Sequence, residues 1–233
     1  MVNFYGIVFA LGFIIIFFVL KNFFGKKQEL ATTATTYLIL GTIIGARLIY
    51  VTYYAPNYFL NNPLRIFYIW NGGVSFHGGL IGVIIALYIF SKKYKIDLLE
   101  LSDTIIIPIT FFLGLGKIAN FMNSELYGTI TNLPWCVNFK NIEGCRHPVQ
   151  LYESIKNFLL FFFLIYLKNK HAKKGIITFS FIFIYTSLRF LIDFSREYQT
   201  TYFGIGAGQY LNLITFLISG YVLYKLNKKT TSF

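Results

Sequence analysis

His77, Arg47, Lys117 and Arg189 are ionisable side chains set in or beside apolar runs of a chain that carries few charges. His77 stands in GGVSFHGG, Arg47 follows an apolar run, Arg189 lies within another and Lys117 closes a fourth. Charge near a hydrocarbon core is costly, so an ionisable group retained there is a functional hypothesis and belongs in an interior cavity. Three fixed cations and one imidazole, with few acids around them, fit a site for an anion. Asn120, Asn123 and Glu125 follow Lys117 directly, and the two asparagines share a face if the helix runs through them. Carboxamides beside cations suit a phosphate diester, which offers several acceptor oxygens and one negative charge. Arginine brings forked donors to such a group and lysine a point charge.

Each of these residues also has a plainer role open to it. A membrane histidine among glycines can serve packing, and Gly72, Gly73, Gly78, Gly79 and Gly82 permit close helix approach. Arg189 and Asp193, four apart, can neutralise each other on one helical face. Glu153 can serve to orient Arg146 or His147. The GIGAGQ stretch at 204–209 resembles part of a nucleotide loop but lacks a preceding strand, and is set aside.

The elements that must hold these residues are apolar. Hydrophobic residues make up 56% of the 233 and charged residues 13%, which is too apolar for one soluble domain and right for a polytopic membrane protein. Runs long enough to cross a bilayer lie at about 4–20, 34–54, 74–91, 101–117, 151–167, 175–194 and 208–225. The expected fold is therefore all-α, with seven transmembrane helices in a single integral membrane domain over residues 1–233. The formal charge of +12 raises the question of nucleic acid, but its placement answers otherwise. Lysines cluster after the first, third, fifth and seventh runs: Lys21, Lys26, Lys27; Lys92, Lys93, Lys95; Lys168, Lys170, Lys173, Lys174; Lys225, Lys228, Lys229. The positive-inside rule puts those ends in the cytoplasm, the N-terminus outside and the C-terminus inside. No nucleic-acid partner is expected. The first run has its lysines after it and no small-x-small cleavage site, so it reads as a retained span.

The remaining connections are then external. The 55–73 connection holds an amphipathic stretch, Leu64–Trp70, suited to headgroup level. The 118–150 connection, with Gly128, Pro134, Trp135 and Pro148, is long enough for a small extracytoplasmic head with short strands. The connection near 195–207 is polar and aromatic. Cys136 and Cys145 share the 118–150 segment, where a disulfide is allowed but not required. No Cys/His spacing suits a metal. On this topology His77, Lys117, Asn120, Glu125, Gln150, Glu153, Arg189 and Asp193, with Tyr5 and Gln209 heading their spans, gather at the outer side of the membrane. That implies one polar cavity open to the outer leaflet.

Six stretches carry a resemblance: IIGARLIY (43–50), NPLRIFYIWNGGVSFHGGLIG (62–82), GLGKIANFMNSELYG (114–128), RHPVQLYES (146–154), YTSLRFLIDFSRE (185–197) and GQYLNL (208–213). In order and content they resemble the prolipoprotein diacylglyceryl transferases of the bacterial inner membrane. The resemblance implies transfer of the diacylglyceryl group of phosphatidylglycerol to the lipobox cysteine thiol of a preprolipoprotein signal peptide, with glycerol phosphate released and no metal or organic cofactor. By motif position it implies Tyr5, His77, Lys117, Asn120, Glu125, Gly128, Tyr185, Arg189 and Asp193 as functional residues. The family commonly has Arg where Lys117 stands, Gly where Ala119 and Ser124 stand, and Glu where Asp193 stands. Those departures leave a second reading, a non-catalytic or altered-specificity phospholipid-binding paralogue.

The expected division of labour follows from the reaction. The substrate thiol is itself the nucleophile, so the protein must take a proton and stabilise charge on the departing phosphate. Lys117 and Arg189 suit the phosphate, and His77 suits the thiol proton. Asn120, Asn123, Glu125, Gly128 and Asp193 are expected to bind the lipid headgroup, with Tyr5 and Tyr185 closing the cavity mouth. A flippase would need polar residues through the inner halves of the spans, which are almost wholly apolar.

Overall fold

The structure is a computed structural model that describes residues 4–197 and 201–228. Lys229 and residues 198–200 of the third expected external connection lie outside the described residues. The helices are α1 (Phe4–Phe24), α2 (Gln28–Ile49), the short α3 (Pro56–Asn61), α4 (Phe76–Tyr94), α5 (Leu98–Met122), α6 (Val149–Asn169), α7 (Ile176–Ile192) and α8 (Ala207–Lys228). Every apolar run of the sequence is a helix, and most helices overrun the run by several residues. Hydropathy marks the stretch suited to hydrocarbon, whereas helical hydrogen bonding continues past it into polar residues. Six segments are long and apolar enough to cross a membrane, the second extending α2 through a π-helical turn to Tyr54. The seventh long helix, α8, carries Gln209, Asn212, Thr215 and Ser219 and does not reach the same mean hydropathy.

The chain divides into two compact units, Phe13–Thr104 and Met1–Gly12 with Ile105–Phe233. In the first, α2 and α4 pack through glycines. A Cβ at Gly45 would meet the Gly78 carbonyl and sit 2.8 Å from Gly82 Cα, and one at Gly82 would strike the Gly41 carbonyl. The backbones touch where side chains would hold them apart. Between these helices α3 and short 3-10 turns carry Leu60, Leu64, Phe67 and Trp70 outward, all strongly exposed. Arg47 holds this connection from below. Its guanidinium donates to the carbonyls of Ile66 (2.8 Å), Gly72 (2.7 Å), Gly73 (2.8 Å) and Arg65 (2.6 Å), and lies 5.0 Å from the Phe59 ring centroid. The expectation that Arg47 helps bind an anion is thereby corrected. Its donors are consumed by the chain's own carbonyls in the connection that turns back over α2.

In the second unit α7 packs between α6 and α8. Ile107, Leu160, Leu164, Ile177 and Phe181 form its apolar core. The head is the non-helical segment between α5 and α6, shorter than the expected 118–150 because α5 runs on to Met122. In it β1 (Val137–Asn138) pairs antiparallel with β2 (Cys145–Arg146), and a Cys136–Cys145 disulfide closes the hairpin. A second two-stranded pair, β3 (Thr201–Tyr202) and β4 (Ile205–Gly206), precedes α8.

Candidate active site

The polar residues of the second unit converge on Glu153. This carboxylate is on the second turn of α6 and its side chain is 1% exposed. Lys117, five residues from the end of α5, reaches it at 2.5 Å. Arg189, near the end of α7, pairs with its other oxygen. Arg196, just past α7, lies 3.7 Å from that oxygen. Arg189 Nε also bonds the Asp193 carboxylate at 2.9 Å, four residues on, and Arg196 lies 3.8 Å from it. Both acids are 1% exposed at the side chain, while Lys117, Arg189 and Arg196 are 18%, 15% and 14% exposed. The acids therefore sit behind and the cations line the accessible side. The plainer pairing of Arg189 with Asp193 is present, but it does not use up Arg189.

Glu153 does not orient Arg146 or His147. Arg146 donates to the Glu143 carbonyl and pairs with Glu197 at 2.7 Å, while His147 Nδ1 faces the Tyr152 hydroxyl at 3.2 Å. The sequence spacing of Glu153 favours these near neighbours; the helix turns it inward to the cations of α5 and α7.

Beside this cluster lies a second group. Tyr5 donates from its hydroxyl to Glu125 and accepts from the Asn120 amide, and Asn120 also reaches Glu125 at 3.2 Å. Asn123 is 3.4 Å from the other Glu125 oxygen. Asn120 and Asn123 thus turn to one side as expected: Asn123 lies one residue past α5 but keeps the helical N–H bond to the Ala119 carbonyl at 3.0 Å, and the chain folds back just after it. Ser124 (φ 56°) and Leu126 (φ 57°) take left-handed backbone there, a conformation glycine adopts without cost. Glycine at position 124, which the resemblance implies, would adopt this backbone without strain. Gln150 fixes the returning loop by donating to the Glu125 carbonyl at 2.6 Å.

Gly128 is buried where three pieces of backbone meet. Its N–H bonds the His147 carbonyl at 2.9 Å, and it bridges to Arg196. A Cβ there would run into the Ser195 carbonyl and lie 2.6 Å from Val149 and 2.7 Å from His147. Absence of a side chain at Gly128 thus lets the head dock on the segment that carries Asp193 and Arg196.

Tyr185 lies one turn before Arg189 on α7, stacked on Phe181 at 5.2 Å, with the Lys156 ammonium 3.6 Å from its ring centroid. It is half-buried on the same helix as Arg189. Gln209 is spent on backbone, accepting from Gly206 N–H and donating to the Phe190 carbonyl. His77 belongs to the other unit. It is exposed at the start of α4, after the cap Ser75, with its ring edge-on to Phe76.

Three residues of the cluster escaped sequence reasoning in their present roles: Glu153 as hub, Arg196 as third cation and Lys156 as a buried fourth. Arg196 sits in the quoted YTSLRFLIDFSRE stretch, three residues after Asp193, so helical spacing offered a signal. Lys156 offered one too, as a lone lysine two turns inside an apolar run. Chemically the arrangement is a cluster of part-exposed cations backed by buried carboxylates, with an amide–carboxylate–phenol group alongside. It suits an anion carrying hydroxyls. Among the described residues no group of three His, Cys, Asp or Glu side chains is placed to hold a metal ion.

Comparison with known proteins gives the same direction. The family model described as prolipoprotein diacylglyceryl transferase matches residues 1–225. Among similar proteins is a phosphatidylglycerol–prolipoprotein diacylglyceryl transferase of Bordetella parapertussis, 34% identical over 99% of this chain and 93% of its own length. Proteins of the same name from Nitrosomonas europaea (38% identical; 91% of this chain, 81% of that one) and Rickettsia felis (36% identical; 98% and 93%) are also similar.

Proposed function

The chain belongs to the prolipoprotein diacylglyceryl transferase family, and we propose that it carries out the reaction of that name, the first step of lipoprotein maturation. It takes the diacylglyceryl group of phosphatidylglycerol to the lipobox cysteine of a preprolipoprotein. The cysteine sulfur attacks the glycerol carbon that bears the phosphate. A carbon–sulfur bond forms, the carbon–oxygen bond breaks, and glycerol phosphate leaves with the bonding pair on its oxygen. The thiol proton passes to a base. The observation that carries this reading is the buried Glu153 cluster, in which Lys117, Arg189 and Arg196 outnumber the two acids they surround. Fixed cations in a water-poor recess stabilise charge that grows on a leaving group without reorganising as it does so.

In this proposal Lys117 and Arg189 hold the phosphate, with Asp193 fixing the Arg189 fork. Asn120, Asn123 and Glu125 meet the glycerol hydroxyls, Tyr5 orients the Glu125 carboxylate, and Gly128 keeps the head in place. Tyr185 walls the recess below Arg189. His77 is assigned the thiol proton on chemical grounds alone, as the side chain suited to exchanging one near neutral pH. No cofactor is invoked.

The proposal also takes residues 1–233 as one integral domain of seven spans in the bacterial cytoplasmic membrane, with the N-terminus outside and the C-terminus inside. Lysines in the last turns of α1, α4, α6 and α8 support that orientation. The disulfide in the head agrees with an oxidising, external side.

Purified protein in phosphatidylglycerol nanodiscs, given a lipobox peptide, tests the reading. Lys117→Ala is expected to abolish transfer and Lys117→Arg to match or exceed the parent, because a fork grips phosphate better than a point charge. Undiminished transfer by Lys117→Ala would remove Lys117 from the site. A parent protein that binds the lipid tightly yet transfers nothing favours the paralogue reading raised by Lys117 and Asp193.

A further inference from the structure

One face of α6 is more polar than a membrane-buried helix has reason to be. Gln150, Glu153, Ser154, Lys156 and Asn157 are each 4% exposed or less. Three are accounted for by their partners, Gln150 by the Glu125 carbonyl at 2.6 Å, Glu153 by the cations and Ser154 by the Gly114 carbonyl at 3.0 Å. The Lys156 ammonium has no hydrogen-bond partner among the described residues. It rests 3.6 Å from the centroid of the Tyr185 ring, a contact that favours a cation but neutralises no charge. A buried ammonium without an acceptor is costly unless something else supplies one.

The charge of the surroundings says what that something is. Lys156 is one turn on from Glu153 along α6, and the Tyr185 ring it rests on is one turn before Arg189 along α7. With Lys117, Arg189 and Arg196 it makes four cations against the two buried carboxylates Glu153 and Asp193, an excess of two positive charges, since the third carboxylate, Glu125, is exposed and set to one side with Tyr5 and Asn120. A phosphate diester carries one negative charge and a phosphate monoester between about 1.5 and 2. The lipid substrate is the diester; the departing glycerol phosphate is the monoester. An excess of two is matched by the leaving group and only half matched by the substrate, and only such a difference lowers the barrier to the chemical step.

We propose that Lys156 is a further phosphate-binding residue of this site, one that donates to the departing glycerol phosphate more strongly than to the intact lipid. The inference rests on the function proposed above. Tyr185 then has a definite role, since its ring face holds the ammonium in place while the recess is empty of anion.

The test compares Lys156→Met, which keeps the length of the side chain and removes its charge, with Lys156→Arg. Thermal stabilisation by glycerol phosphate, by inorganic phosphate and by neutral glycerol is measured in nanodiscs of neutral lipid, where no transfer is needed. Affinity for phosphatidylglycerol is measured separately in mixed nanodiscs. Lys156→Met is expected to weaken glycerol phosphate by about tenfold or more, the usual scale for a lost charged hydrogen bond. Its loss for phosphatidylglycerol should stay below about threefold, glycerol should have no effect on any form, and kcat should fall with little change in the peptide KM. Lys156→Arg should keep most of the phosphate binding. Equal losses for lipid and product would overturn the selectivity, and unchanged glycerol phosphate binding in Lys156→Met would overturn the site itself. If Lys156→Met does not fold, Lys156→Gln replaces it with the same expected outcomes. A parent protein that is stabilised by glycerol phosphate but transfers nothing sinks the proposed function and leaves this site standing.

Discussion

Replacing Glu153 by Gln should destabilise the empty protein and make it depend on anions. The carboxylate is 1% exposed, 2.5 Å from the Lys117 ammonium, paired with Arg189 and 3.7 Å from an Arg196 nitrogen. At an effective dielectric of about 20, unit charges at those two distances attract by roughly 6.6 and 4.5 kcal/mol. These are gross values, largely offset by desolvation and by repulsion among the cations. Removing one member of a buried pair costs about 3–5 kcal/mol in measured cases, and the lower end applies because the amide oxygen still accepts from Arg189. A loss of about 3 kcal/mol lowers Tm by roughly 6–12 °C in a protein of this size. A bound anion replaces the missing charge, and at a hundredfold its Kd it returns about 2.7 kcal/mol. The assay is a thermal melt in neutral-lipid nanodiscs with and without glycerol phosphate, beside the parent. Glu153→Gln should melt lower when empty and gain more from glycerol phosphate than the parent does. Equal melting of the two empty proteins, or a smaller gain in the variant, refutes the view of Glu153 as the acid that balances an otherwise empty cationic site.

Gly128→Ala puts a methyl group within 2.6–2.7 Å of Val149 and His147 and against the Ser195 carbonyl, so it should cost about 1–3 kcal/mol and expose the head to protease. A resistant head with an unchanged Tm would show that the backbones separate freely there. Arg47→Ala removes four close hydrogen bonds to the carbonyls of this connection and should speed hydrogen exchange across residues 62–73, and Arg47→Lys should rescue it only in part because one ammonium cannot span them. Unchanged exchange in the alanine variant would leave the clamp without support. Cys145→Ser opens a bridge between residues nine apart, worth about 2.6 kcal/mol by loop entropy, and should loosen the β1–β2 hairpin seen by exchange while α6 and α7 keep their protection.

Hydropathy makes the helices legible because a helix that crosses a bilayer must offer it an apolar stretch; it finds α1 through α8 except the short α3, although α8 falls below the hydropathy of the other six. It is less able to place ends, since a helix does not stop where hydrocarbon does. Gly78 and Gly82 are readable as packing residues, and the structure has them against Gly41 and Gly45. Arg47 misleads because its type and depth match those of Arg189; only the fold of the 55–73 connection reveals five carbonyl oxygens waiting for it. Glu153 shows the same limit from the other side. Its near neighbours in sequence, Arg146 and His147, precede the helix, whereas Lys117 and Arg189 come from distant segments that no local spacing could join to it. Lys156 stands alone in an apolar run, yet nothing local separates it from a lysine that snorkels to the surface; its burial does.

The most direct test of the account is the mass of a lipoprotein made in cells that lack any other diacylglyceryl transferase, with and without this chain. The lipobox cysteine should gain a diacylglyceryl thioether when the chain is present, and Lys117→Ala should abolish the gain. A cysteine left unmodified by a correctly inserted, phosphatidylglycerol-binding protein would contradict it.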